Sequence, residues 1–158
     1  MVLVLMACHL STVYSHYEHV PVSGWERNDT LTFCIKPLKQ EGTYREDIGI
    51  RINGTFPFMG LTLIINQQVF PSLESRKDTL SFDLVGEDGN AKGQGVNHYQ
   101  YTLPLTMLTL NEGDSLCVRI RHDMKREILP GITDIGVSLT HLGANEIPTR
   151  IDAQENKQ

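Results

Sequence analysis

The chain has 158 residues and a formal net charge of −5, with 14 lysines and arginines against 19 aspartates and glutamates. The basic residues are scattered, so no basic stripe marks a nucleic-acid surface, and nucleic acid is not expected as a partner. Setting aside a leader and a tail leaves about 130 residues, enough for one domain with a proper core, and no window reaches the ~20 apolar residues of a membrane-spanning helix.

In chain order the first element is a leader. Met1 to Ala7 is an uncharged apolar run that ends on a small residue before Cys8, with Leu5 three positions ahead of the cysteine. Bacterial lipoprotein signal peptidase reads that order, which makes Cys8 the expected lipidated first residue of a mature, membrane-anchored protein. The run lacks a basic n-region and is short for a secretory h-region, so a start upstream of Met1 is expected. The competing reading is an incidental cysteine in a first strand.

Residues 1–8 are therefore read as leader and lipobox, 9–142 as one folded domain and 143–158 as a loose polar tail. Within the domain, period-two alternation dominates and no sustained 3.6-residue pattern competes with it. The expected strands are Tyr14 to Val20, Thr30 to Ile35, Tyr44 to Ile52, Leu61 to Ile65, Leu80 to Leu84, Tyr99 to Leu103, Leu116 to Ile120 and Ile135 to Leu139. Turn signals separate them, among them Asn53-Gly54, Glu87-Asp88-Gly89-Asn90, Asn111-Glu112-Gly113-Asp114 and Pro130-Gly131. One apolar face per strand needs a second sheet to cover it. The expected fold is all-β, a single antiparallel β-sandwich of about eight strands, jelly-roll or Ig-like, with no internal repeat.

Residues able to carry chemistry are sparse. If Cys8 carries lipid, Cys34 and Cys117 remain as an even pair in an oxidising compartment. A bridge is then chemically possible, and two unpaired small residues are the default, because co-location of two strands cannot be read locally. Of six histidines, His9, His16 and His19 cluster near the leader. On an extended strand His16 and His19 point to opposite faces, and no metal-ligand spacing occurs. No Gly-x-Ser-x-Gly elbow is present. Gly86-Glu87-Asp88-Gly89 and Gly93-Gln94-Gly95 precede no helix, so they suit a hairpin or bulge better than a phosphate cradle. The expectation is a non-enzyme with no cofactor and no metal.

Several islands in order resemble the GldH family of gliding-motility lipoproteins of Bacteroidetes-type bacteria. They are Trp25 with Asp29 to Phe33; Ile48 to Asn53; Phe56-Pro57-Phe58 with Leu61-Thr62-Leu63; Asp78-Thr79-Leu80; Lys92 to Gly95; and Met124 to Gly136. The likeness spans roughly residues 8–141. Lys125 stands where an arginine is expected after the methionine, and Ala91 where a tryptophan is common. The resemblance implies a cell-envelope lipoprotein, anchored to the membrane (an outer-membrane location is expected). It also implies a non-enzymatic accessory role beside proteins of the gliding machinery and the linked type IX secretion apparatus.

The same islands supply candidate contacts: Trp25, Phe56, Phe58, Lys125 and Arg126. Trp25 reads first as a core plug and second as a ligand platform. Phe56 and Phe58 flank a rigid turn that either packs back on the core or docks a sugar or partner. Lys125 and Arg126 end the densest basic stretch, facing anionic lipid, an acidic partner or solvent. Asp134 is expected to bond backbone N–H groups of its turn. Asp29-Thr30-Leu31, Asp78-Thr79-Leu80 and Asp114-Ser115-Leu116 resemble the O-glycosylation acceptor of such bacteria, which marks Thr30, Thr79 and Ser115; the plainer reading is a turn aspartate opening a strand. An alternative function is a surface carbohydrate-binding sandwich, with glycan as partner through Trp25, Phe56, Phe58, Tyr99 and Tyr101.

Overall fold

A computed structural model describes residues 10–143, so Cys8, His9 and all of the expected tail after Gly143 lie outside the described residues. Among the described residues ten strands form: β1 (Ser11–His19), β2 (Trp25–Glu26), β3 (Leu31–Ile35), β4 (Gly42–Asn53), β5 (Gly60–Phe70), β6 (Ser75–Asp83), β7 (His98–Leu110), β8 (Ser115–His122), β9 (Ile128–Leu129) and β10 (Ile132–Leu142). The eight long ones are the eight expected. The two-residue strands β2 and β9 are too short to show a period.

The long strands build two four-stranded sheets in the orders β1-β10-β4-β7 and β3-β8-β5-β6, with β2 and β9 as a separate ribbon. Every neighbour is antiparallel. Among the long strands only β5 and β6 are consecutive in sequence and adjacent in a sheet; the other connections cross between layers. That is the jelly-roll arrangement, and it removes the Ig-like alternative, whose sheets contain more consecutive hairpins.

Alternation explains the core. Ile48, Ile50 and Ile52 of β4 and Ile135, Val137 and Leu139 of β10 form one cluster with Phe33, Leu61, Leu63, Ile65, Val118 and Ile120 of the other sheet. Each fully buried aliphatic side chain contributes about 1.5–3 kcal/mol. At the edge, β7 slips register opposite Glu46 and Asp47 and carries Pro104, which an edge strand tolerates. On the other sheet, Cys34 and Cys117 are register partners of β3 and β8 and form a disulfide, so the default of two unpaired cysteines is corrected. Strand pairing across 83 residues supplied the co-location that local pattern could not.

The topology gives the sandwich two unlike poles. Residue 10, the β3–β4, β5–β6 and β7–β8 turns and the end of β10 share one pole. The β1–β3, β4–β5, β6–β7 and β8–β10 connections, which carry β2 and β9, share the other. β10 alone separates them by roughly 35 Å at the usual rise per residue.

Candidate functional site

The loop pole is built on Trp25. Its side chain is 0% exposed, and its indole N–H donates to the Asp29 carbonyl at 3.0 Å. The ring meets His122 edge-on, with centroids 5.3 Å apart. The main-chain N–H of Met124 donates to His122 Nδ1 at 3.3 Å, which assigns the proton to Nε2, and Nε2 donates to the Trp25 carbonyl at 3.0 Å. Burial lowers the His122 pKa, outweighing the hydrogen bond to Trp25 that raises it. A neutral imidazole thus ties β8 to β2. Trp25 is the core plug, and full burial removes it as a ligand platform.

The remaining islands close around this plug. Trp25 pairs with Leu129 and Glu26 with Ile128, the Arg27 N–H donates to the Glu127 carbonyl at 2.8 Å, and the Arg27 guanidinium lies 3.4 Å from Asp123. Thr62 N–H points at the Met124 sulfur at 3.4 Å. The Asn53 N–H donates to the Gly131 carbonyl at 2.8 Å. Gly131 has φ +85°, and a Cβ there would lie 2.2 Å from the Phe56 nitrogen, so only glycine fits where the last island touches the Phe-Pro-Phe turn. Phe56 and Phe58 stack edge-to-face at 6.0 Å and pack half-buried against the core, which is the packing-back reading. Lys125 and Arg126 are exposed on the segment between β8 and β9.

The long β6–β7 connection joins the same pole. Gly93 lies against the Tyr101 ring, whose hydroxyl donates to the Leu84 carbonyl at 2.6 Å, and bridges Val85–Ala91 and Gln94–Gln100 pin the excursion. The glycines therefore shape an irregular hairpin, as expected. Tyr101 is buried and Tyr99 half-buried against the core.

The other sequence candidates are spread over the molecule, from Thr30 in the β1–β3 connection to Thr79 within β6 and Ser115 at the start of β8. Thr30 and Thr79 are exposed and Ser115 half-buried. Asp29 and Asp114 do precede strands, but Asp78-Thr79 sits inside β6 and so does not open it. Asp114 accepts the Asn111 N–H at 2.8 Å. Asp134 does not cap its turn: it lies within β10, accepts the Thr133 hydroxyl at 2.9 Å and contacts the His19 imidazole, because the strand begins at Ile132, ahead of the expected start at Ile135. Among the described residues no three of His, Cys, Asp and Glu converge to hold a metal ion.

Two features had no sequence signal. Glu46, 0% exposed, faces the interior and accepts the Gln67 amide N–H at 2.5 Å from the opposite sheet; its other oxygen has no hydrogen-bond partner among the described residues. Burial, with nearby Asp78 adding to it, raises its pKa to about 7 against the opposing Gln67 bond. On the outer face, Gly49 and Gly136 are register partners, and the Tyr17 ring lies where their side chains would be. Arg51 stacks 3.9 Å over that ring, and its Nε donates to Gln100 Oε1 at 3.1 Å.

Comparison with known proteins points the same way as the resemblance. The family described as GldH lipoprotein matches residues 12–139. The gliding motility lipoprotein GldH of Flavobacterium johnsoniae is 26% identical over 141 residues, covering 85% of this chain and 87% of that protein. Solved structures show weaker likeness. A protein from Sulfurospirillum deleyianum has TM-score 0.42 and 9% identity, covering 83% of this chain and 98% of its own. A family 35 carbohydrate binding module from Clostridium thermocellum has TM-score 0.40 and 16% identity, covering 78% and 87%.

Proposed function

The chain belongs to the GldH lipoprotein family, and from that premise we propose that it is a lipid-anchored, non-enzymatic component of the gliding apparatus that docks envelope partners through its loop pole. Cys8 carries the acyl anchor in this reading, most simply in the outer membrane, and the partners belong to the motility machinery and the linked type IX secretion apparatus. The single observation that carries it is convergence. Trp25, Phe56-Pro57-Phe58, Lys92 to Gly95 and Met124 to Gly131, far apart in sequence, close one pole of the sandwich, opposite the start of β1. Packing accounts for the apolar members, and Lys125 and Arg126 are left projecting from the rigid rim. The Cys34–Cys117 disulfide fits an oxidising envelope compartment. The carbohydrate reading gains nothing from its own residues, since Trp25 and Tyr101 are buried and Phe56, Phe58 and Tyr99 pack against the core.

Crosslinking and pull-down of full-length protein from its native envelope, read by mass spectrometry, tests this. An acylated Cys8 peptide and envelope partners crosslinked near residues 124–131 are expected. Lys125→Glu with Arg126→Glu should cut partner recovery about tenfold while the thermal midpoint stays within about 2 °C, as for surface substitutions generally. Undiminished recovery in that variant would remove the loop pole from the function.

A further inference from the structure

At the opposite pole a groove of about 700 Å³ runs between β1 and the β3–β4 turn, walled by Val13, Tyr14, Pro37 and Leu38, with Lys36 and Lys39 as the charged groups of its lining. We propose that this groove is a phospholipid-binding surface: the two lysines hold the phosphate of an anionic lipid in the anchoring leaflet, and the groove receives part of an acyl chain. The inference rests on the anchor reading of Cys8.

Chain length supplies the first argument. Cys8 is three residues from Ser11, where β1 begins, so the tether reaches about 10 Å even fully extended. An acyl group on Cys8 therefore holds the start of β1 against the headgroup layer and leaves the sandwich no freedom to stand off. Charge and polarity supply the second. The surface so presented exposes Leu10 (53%) and Val13 (45%), and the lysines beside them are exposed on the turn that forms the other wall. Apolar side chains next to amines with long aliphatic stems match the boundary between acyl chains and phosphates. On a chain of net charge −5, a groove whose charged lining among the described residues is two lysines selects an anionic lipid over a zwitterionic one.

The test uses full-length protein matured in its native host, reconstituted through its anchor into phosphatidylcholine vesicles containing phosphatidylglycerol with a photoreactive diazirine in one acyl chain. Crosslinks are mapped by mass spectrometry, and the same spectra report acylation of Cys8. Capture concentrated on peptides spanning residues 11–14 and 34–40 is expected. It should fall about 25-fold in Lys36→Glu with Lys39→Glu, at about fivefold per lysine, and hold in Lys77→Glu with Arg119→Glu on the outer face of the second sheet. Acylated Cys8 with crosslinks scattered over the surface, or equal loss in both double variants, would overturn the groove and leave the anchor standing. Zero-length crosslinks joining Lys36 or Lys39 to Glu146, Asp152 or Glu155, in place of lipid capture, would assign the groove to the chain's own C-terminal segment and overturn it too. An unmodified Cys8 would overturn anchor and groove together.

Discussion

Glu46 is the residue whose chemistry departs furthest from its type. A carboxyl group between two sheets, with one oxygen bonded to Gln67 and the other unbonded among the described residues, favours its proton. Its folded pKa of about 7 lies above the ordinary 4.5, so the folded chain binds the proton more tightly than the unfolded chain. Stability from this group is complete below about pH 4.5, declines as pH rises, and is lost above about 7, a total of roughly 3 kcal/mol. His122 runs the other way: its pKa is lowered by burial, so its contribution is complete above about 6.5, the ordinary histidine value, and erodes as pH falls below it. The two groups partly cancel in the wild-type pH profile, and a difference experiment separates them. Glu46→Gln keeps the shape and the acceptor for Gln67 and removes the titration. In urea melts it should exceed wild type by roughly 2–3 kcal/mol at pH 8 and match it near pH 4.5. An equal gap at both pH values would mean that Glu46 is ionised in the fold.

At the scale of elements, β1 is held by a device that local pattern does not reveal. Gly49 and Gly136 interrupt two isoleucine- and valine-rich strands, and each glycine alone reads as a weak point. Register makes them partners and lays Tyr17 of the neighbouring strand across both, with Arg51 stacked above. A Cβ at position 136 would come within 2.7 Å of the Tyr17 ring. Gly136→Val should therefore displace Tyr17 and destabilise the chain by about 1–3 kcal/mol. Combining it with Tyr17→Ala should remove part of that loss, and full additivity in the double-mutant cycle would show that the ring and the glycine do not compete for the space. The eight long strands themselves were legible, because a sheet with one buried face writes its period into consecutive residues. β2 and β9 were not, since two residues carry no period and their pairing follows from the Trp25 plug.

For the whole molecule, what the sequence concealed was distance. The islands near Trp25, Phe56, Lys92 and Met124 were visible as residues, yet nothing local says that they meet at one pole, or that Trp25 is sealed by His122 and not open to a ligand. The same holds for Cys34 and Cys117. Each sits in an ordinary alternating strand, and only the crossing of chain between layers makes them register partners. Their bridge spans 83 residues of sequence and joins the edge strand β3 to β8, and the loop it closes contains β4 to β7 of both sheets. Cross-linking a loop of that length restricts the unfolded chain by about 4.5 kcal/mol in the chain-entropy picture, with roughly 2–4 kcal/mol typical of measured bridges. Because β3 is paired on one side only, it has no second ladder to hold it once the bridge opens. Dithiothreitol should thus lower the thermal midpoint of the wild type by roughly 10 °C, and leave a Cys34→Ser/Cys117→Ser variant, already lower by the same amount, unmoved. A wild-type midpoint indifferent to reduction would mean that the sandwich restrains β3 through packing of Phe33 and Ile35 alone, and that the bridge guards the chain against something other than unfolding.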